Sequence, residues 1–148
     1  MTTALREAVA TDCAAVYAWN FAPDVRAQSR TATQVAPREH ERWFASRLAR
    51  VADGAPMWII EDDAAPVGVL RLDPIDDAAR ISIAIAADAR GRGIGRRAIT
   101  AACARFARPV VAEVLARNTA SRVCFEACGF RPIARRDDVV TYRWSPTP

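Results

Sequence analysis

The chain has 148 residues, 51% of them hydrophobic and 26% charged, which suits one domain with its own core and excludes wholesale disorder. Its net charge of +4 rests on 21 basic residues, every one an arginine, scattered except for a cluster from Arg90 to Arg97. That distribution favours a small phosphorylated ligand over nucleic acid, which asks for dense basic runs with interleaved aromatics.

The first residues, Met1 to Glu7, are too polar for a signal peptide, and no apolar run approaches the ~18 residues of a membrane helix, so a single cytoplasmic domain over 1–148 with no membrane partner is expected. Thr3 to Val9 reads as a strand. Thr11 or Asp12 can cap a helix to about Asn20, and a short irregular or helical piece follows Pro23 over 24–30. Pro37 suits a first helical position, and His40, Phe44, Leu48 and Val51 recur at helical spacing, so a helix to about Arg50 is predicted. Met57 to Glu61 and Pro66 to Leu72 form a hairpin around Asp62–Ala65, and Pro74 to Asp77 is a polar connection. Ile81, Ile83 and Ile85 then alternate with Ser82, Ala84 and Ala86, giving a strand with one bulky and one small face.

A helix is predicted from about Gly93 to Ala107, with Ile99, Cys103 and Phe106 as its core stripe, then a strand from Val110 to Leu115. Asn118 can cap the next helix, with Ala120, Val123, Cys124, Ala127 and Cys128 turned inward and Gly129 as its stop. Phe130 to Arg135 and Val139 to Trp144 close the chain as strands around Asp137–Asp138. The order β-α-α-β-β-β-α-β-α-β-β predicts an α/β fold with a mixed central sheet and helices on both faces. One histidine and four cysteines with no C-x-x-C pair leave too few ligands for a zinc site, so no metal is expected.

The strand, the loop Arg90-Gly91-Arg92-Gly93-Ile94-Gly95 and the helix after it make a phosphate-binding device. Glycines admit a close ligand, and the first N–H groups of the helix are unpaired and lie at the positive end of its dipole. A pyrophosphate satisfies both, and Arg90, Arg92 or Arg96 adds charge. A P-loop needs a lysine, and a dinucleotide fingerprint needs a third glycine where Arg96 stands, so both are excluded. The segment Arg90-x-x-Gly93-x-Gly95 resembles the acetyl-CoA signature of the GNAT acetyltransferase superfamily. So does Glu113-Val-Leu-Ala-Arg-Asn118-Thr-Ala-Ser121 with Phe125-Glu126-Ala-Cys-Gly129-Phe130 after it.

The resemblance implies acetyl-CoA as co-substrate. The backbones of Ile83 and Ile85 would pair with its pantetheine arm, residues Arg90 to Arg96 would hold its pyrophosphate, and Asn118 and Ser121 would contact it from the next helix. A tyrosine that often follows the Asn by seven residues, and protonates the departing thiolate, is replaced here by Phe125. Two groups can take the amine's proton. Glu113, between Val111 and Leu115, is a carboxylate on an apolar strand, where burial would tune it as a base. His40 is the only histidine.

Asn20-x-x-x-Asp24-Val25-Arg26-x-x-Ser29, with His40-x-x-Trp43-Phe44, resembles a subfamily that acetylates nucleotide-linked 4-amino sugars. In that reading Asn20, Arg26 or Arg30, and Trp43 or Phe44 would contact the acceptor. Direct transfer to a primary amine of a small molecule in a ternary complex is therefore expected, from a monomer or homodimer without nucleic-acid partners. The alternatives are a CoA-binding sensor without catalysis, for which Phe125 is the best support, or transfer to a protein N-terminus or another small amine.

Overall fold

In a computed structural model, residues 2–29 and 33–147 are described. The strands are β1 (Thr3–Glu7), β2 (Met57–Asp62), β3 (Ala65–Ile75), β4 (Ala78–Ile85), β5 (Val110–Leu115), β6 (Arg131–Arg136) and β7 (Val139–Trp144). The helices are α1 (Cys13–Asn20), α2 (Pro23–Ala27), α3 (Pro37–Ala49), α4 (Ile94–Phe106) and α5 (Thr119–Ala127). The predicted mixed α/β architecture is present, with the short piece after Pro23 resolved as a helix. No helix among the described residues is long and apolar enough to cross a membrane.

The strands form one sheet in the order β1-β2-β3-β4-β5-β7-β6, antiparallel throughout except for β4 beside β5. Alternation divides its faces. Leu70, Leu72, Ile81, Val110, Ala112, Val114 and Tyr142 point to α4 and α5, where they pack on Ile94, Ala98, Ile99, Ala102, Cys103 and Phe125. The other face puts Met57, Ile59, Val69 and Ala84 against Val16 of α1 and Phe44 of α3. The bulky and small sides of β4 are thus used as predicted, one for each helical layer.

Arg47 fastens α3 to the sheet. Its guanidinium is almost fully buried and donates to Asp73 at 2.9 Å and to the carbonyls of Ala55, Pro56 and Leu72. A buried cation is tolerable only with this saturation of its donors.

Two expectations are corrected. β3 continues through Pro74 to Ile75, so the connection shrinks to Asp76–Asp77. Pro74 is admissible because β2 ends opposite Arg71 and Leu72 bonds back to Pro56; past that point no strand needs an N–H on that side. In α5, Ala120, Val123 and Ala127 are exposed, Val123 by 61%, whereas Phe125 is buried. The inward stripe runs through Ser121, Phe125 and Cys128, with Cys124 half-buried beside it, and Ala120, Val123 and Ala127 border a cleft instead. Phe106 is only half-buried at the end of the α4 stripe.

Candidate active site

The sheet comes apart at its centre. β4 and β5 pair only at Ala79 with Val110 and Arg80 with Val111, after which the two strands diverge. Ala86 donates to Val67, which sets the hydrogen-bonded pairs between β4 and β3 at Ala84, Ser82 and Arg80. The N–H and C=O groups of Ile81, Ile83 and Ile85 therefore turn the other way, into the wedge. A cleft of about 1370 Å³ runs through this wedge, from the start of α4 to the polar ends of α1, α2 and α3.

One end of the cleft is main chain. Gly93 caps α4 with φ +77°, and Gly91 also has positive φ (+75°), so the loop takes turns that other residues adopt only under strain. Gly95 faces the wedge: a Cβ there would stand 3.2 Å from Ile85 Cδ1 and 3.8 Å from Cys124 Sγ. Opposite, Asn118 caps α5 by accepting from the Ser121 N–H at 3.2 Å, and both residues line the cleft. Phe125 lies beneath them against Phe130, ring centroids 5.0 Å apart. Ile94 joins this end through its backbone, its side chain being core.

The four arginines of the loop part company. Arg96 lines the cleft, whereas Arg92 is exposed and does not. Arg97 turns to the far edge, donating to Thr3 Oγ1 at 2.8 Å. Arg90 donates twice to the Ile85 carbonyl, at 3.1 and 3.0 Å, and pairs with Asp24 of α2. Arg117 reaches the same helix, donating to the Ala27 carbonyl at 2.9 Å. Two arginines thus tie α2 across the cleft.

The other end is side chain. His40 is 2% exposed, amid Tyr17, Phe21, Trp43 and Phe44, its ring centroid 4.9 Å from that of Tyr17. Nε2 lies 3.0 Å from the Cys13 carbonyl, which can only accept, so Nε2 carries the proton and Nδ1 the lone pair. Among the described residues, Nδ1 is buried without a partner. Burial pushes the His40 pKa below its ordinary 6.5, so the ring is neutral at pH 7. Asn20 and Arg26 meet here, Arg26 Nε donating to the Asn20 carbonyl at 2.8 Å while its guanidinium lies 4.8 Å from the Phe21 ring. Arg30 falls outside the described residues.

Glu113 lines the cleft but is not the sequestered carboxylate that its apolar neighbours imply. Its side chain is 25% exposed and bonds Arg80 at 3.2 Å. The strand edge, not the core, receives it.

Sequence reasoning missed Arg71, Arg80 and Ser82, which also line the cleft. Arg71 lies 5.0 Å from the Trp43 ring and donates through Nε to Asp73 at 3.1 Å. The alternation Leu70-Arg71-Leu72-Asp73 carries the signal: two charges at period two on an otherwise buried strand.

Cys124 also faces the cleft. Its thiol is pushed up by a hydrogen bond with Cys128 and by burial; the same bond, with the Thr100 hydroxyl 3.8 Å away, draws Cys128 down to about 7. Among the described residues there is no group of three or more His, Cys, Asp or Glu able to hold a metal ion.

A family profile described as an acetyltransferase (GNAT) domain matches residues 3–131. No curated protein matches the chain significantly. Solved structures share the fold. The RimL ribosomal L7/L12 alpha-N-protein acetyltransferase, in complex with coenzyme A, superposes with a TM-score of 0.85 at 20% identity, over 99% of this chain and 95% of that one. A putative acetyltransferase, yncA, from Salmonella typhimurium with acetyl-CoA gives 0.79 at 19% identity, over 100% and 96%. A phosphinothricin acetyltransferase from Sinorhizobium meliloti in complex with AcCoA gives 0.78 at 20%, over 97% and 88%.

Proposed function

We propose, from the premise that this chain belongs to the acetyltransferase (GNAT) domain family, that its cleft brings an amine directly to the thioester of acetyl-CoA. The chain is an N-acetyltransferase with acetyl-CoA as co-substrate. The observation that carries the reading is the wedge between β4 and β5, which puts unpaired strand backbone and the N-terminus of α4 on one cleft with His40 and Glu113. The acceptor is a primary amine of a small molecule, with a nucleotide-linked amino sugar as the class that the Asn20–Ser29 and His40–Phe44 segments resemble.

The residues present fit the co-substrate. The open edge at Ile83 and at the Ile85 N–H, the Ile85 carbonyl being held by Arg90, suits an extended amide-bearing arm, which adds to a sheet by main-chain bonds. Residues Arg90, Gly91, Gly93, Ile94, Gly95 and Arg96 suit the pyrophosphate through backbone N–H groups and charge, Arg92 adding only long-range attraction. Exposed Val123 offers apolar contact. Acetyl-CoA supplies the activated acetyl group as a thioester.

The Ile85 N–H donates to the oxygen on which charge builds during attack. The amine's proton passes to Glu113 through a water; His40, the second candidate base, has its Nδ1 lone pair buried and would need its aromatic surroundings to open before it could serve. Phe125 donates nothing, and no tyrosine lines the cleft among the described residues, so the thiolate leaves unassisted. Cys124, its thiol pushed up, is a poor nucleophile, which favours direct transfer over an acetyl-enzyme.

Free-thiol release from acetyl-CoA over a panel of amines tests the activity, and titration calorimetry with CoA tests the site. Gly95→Val is expected to abolish CoA binding while circular dichroism stays native; unchanged affinity in the folded variant refutes the placement. Mass spectrometry after incubation with acetyl-CoA alone is expected to show no added acetyl group. An acetyl on Cys124 that then passes to the acceptor would refute direct transfer.

A further inference from the structure

The register of the sheet assembles a second charged feature in this cleft. Arg71 faces Ser82, and Asp73 faces Arg80, across β3 and β4. Facing residues share a side, as do residues two apart, so all four lie on the face that α1 and α3 cover farther along. There Val69 and Ala84 are sealed by Val16 and Phe44, whereas Arg71, Ser82 and Arg80 open to the cleft. A polar patch thus occupies the middle of a sheet whose opposite face, at Leu70, Leu72 and Ile81, is fully core.

The patch is rich in cations. Asp73 is shared by the guanidinium groups of Arg47 and Arg71, with Arg50 at 4.0 Å, so one carboxylate serves several arginines. Arg80 has Glu113, and Arg26 adds a further guanidinium from α2. Burial pushes the Arg71 pKa down, Asp73 draws it back up, and the like charges of Arg80 and Arg26 push it down further. Arg71 is also held rigidly. Trp43 packs against its plane and Nε is fixed on Asp73, while its two terminal nitrogens have no partner among the described residues. A guanidinium fixed by one edge presents the other as a ready fork for two oxygens.

We propose that the acceptor amine carries an anionic group, a phosphate or a carboxylate, which Arg71 binds through its terminal nitrogens with Arg80 and Arg26 adding charge. The inference rests on the acetyltransferase reading and deepens it by naming the acceptor's chemistry: the anion seats on the sheet, and the amine extends from it toward Glu113 and the wedge. Cationic acceptors such as polyamines are repelled by the same patch.

The test titrates inorganic phosphate, and separately acetate, into protein saturated with CoA, so that the loop at α4 is already filled. Wild-type protein is expected to bind at least one of the two anions, more weakly at high salt. Tighter phosphate points to a phosphorylated acceptor, and equal or tighter acetate to a carboxylate. Arg71→Gln is expected to weaken that binding about tenfold or more. Arg80→Gln, at an exposed position, is expected to weaken it less and provides the comparison should Arg71→Gln not fold. CoA affinity is expected to be unchanged in both. The proposal is overturned if neither anion binds, or if a folded Arg71→Gln protein binds as wild type does; should Arg71→Gln not fold, binding unchanged in Arg80→Gln overturns it. Should CoA itself fail to bind, the acetyltransferase reading falls and the acceptor assignment with it, while binding weakened by Arg71→Gln would still place an anion at this patch.

Discussion

At the wedge end, the cleft is walled by main chain: the N–H groups that begin α4, the open edge of β4, and glycines that keep side chains out of the way. At the other end it is walled by side chains, namely His40 in its aromatic cage, Arg71 on Trp43, and Arg80 with Glu113. Backbone devices are insensitive to most neighbouring substitutions and fit a ligand part that never varies. Side-chain devices depend on partners far apart in the chain, as Arg71 depends on Asp73, and Asp73 on Arg47 of α3. Under the proposed reading the difference teaches where specificity would reside: the first end suits a co-substrate common to many proteins, and the second suits rebuilding for each acceptor.

The contrast can be broken hardest at Arg47. Arg47→Met takes one donor from Asp73, which keeps Arg71, and leaves the carbonyls of Ala55, Pro56 and Leu72 without the guanidinium; losing a partner from such a buried charged network costs up to about 3–5 kcal/mol. Urea unfolding is expected to show that loss, and with it a weakened hold on Arg71. A smaller change sharpens the acceptor end. Glu113→Gln is expected to lower kcat about 100-fold, the lower end of what general acid–base groups contribute, with KM for acetyl-CoA unchanged. A kcat near wild type in the thiol-release assay would move the base to His40.

The wedge end is expected to tolerate more. Phe125→Tyr restores a hydroxyl where the packing is already aromatic, and a change of only a few-fold in kcat is expected, about 1 kcal/mol or less. A new limb near pH 10 in the rate profile would show that the hydroxyl has begun to protonate the thiolate.

The smallest effect concerns pH. His40 has a lowered pKa in the folded protein, so the unfolded chain binds more protons as pH falls through about 6.5. Stability is therefore present above that value and declines below it as the ring is driven to charge in its cage. His40→Phe is expected to flatten this part of the curve of melting temperature against pH.

The same contrast explains what was legible in the sequence. The glycine loop, the Asn118 cap and the strand and helix order depend on short-range rules and stand as expected, although β3 ends and β4 begins three residues beyond the bounds that the sequence suggests. The arginines of the loop could not be sorted, because the path of Arg97 depends on Thr3, 94 residues away. The inward face of α5 was misplaced for a related reason: Ala120, Val123 and Ala127 are apolar toward a cleft, and periodicity cannot tell an apolar face made for a ligand from one made for a core. Arg71 and Arg80 acquire meaning only once the register sets them side by side.

The opening between β4 and β5 has another side to it. A strand with unpaired ladder groups ordinarily invites addition of a foreign strand, the first step of aggregation, and proteins blunt such edges with charge, proline or short length. Here the edge lies inside the sheet, at the bottom of a furrow with β5 as one bank and the start of α4 close by, where even a methyl group at Gly95 would crowd Ile85. An open ladder so placed is reached from a face of the sheet and not from its rim, where the strands of another chain would add.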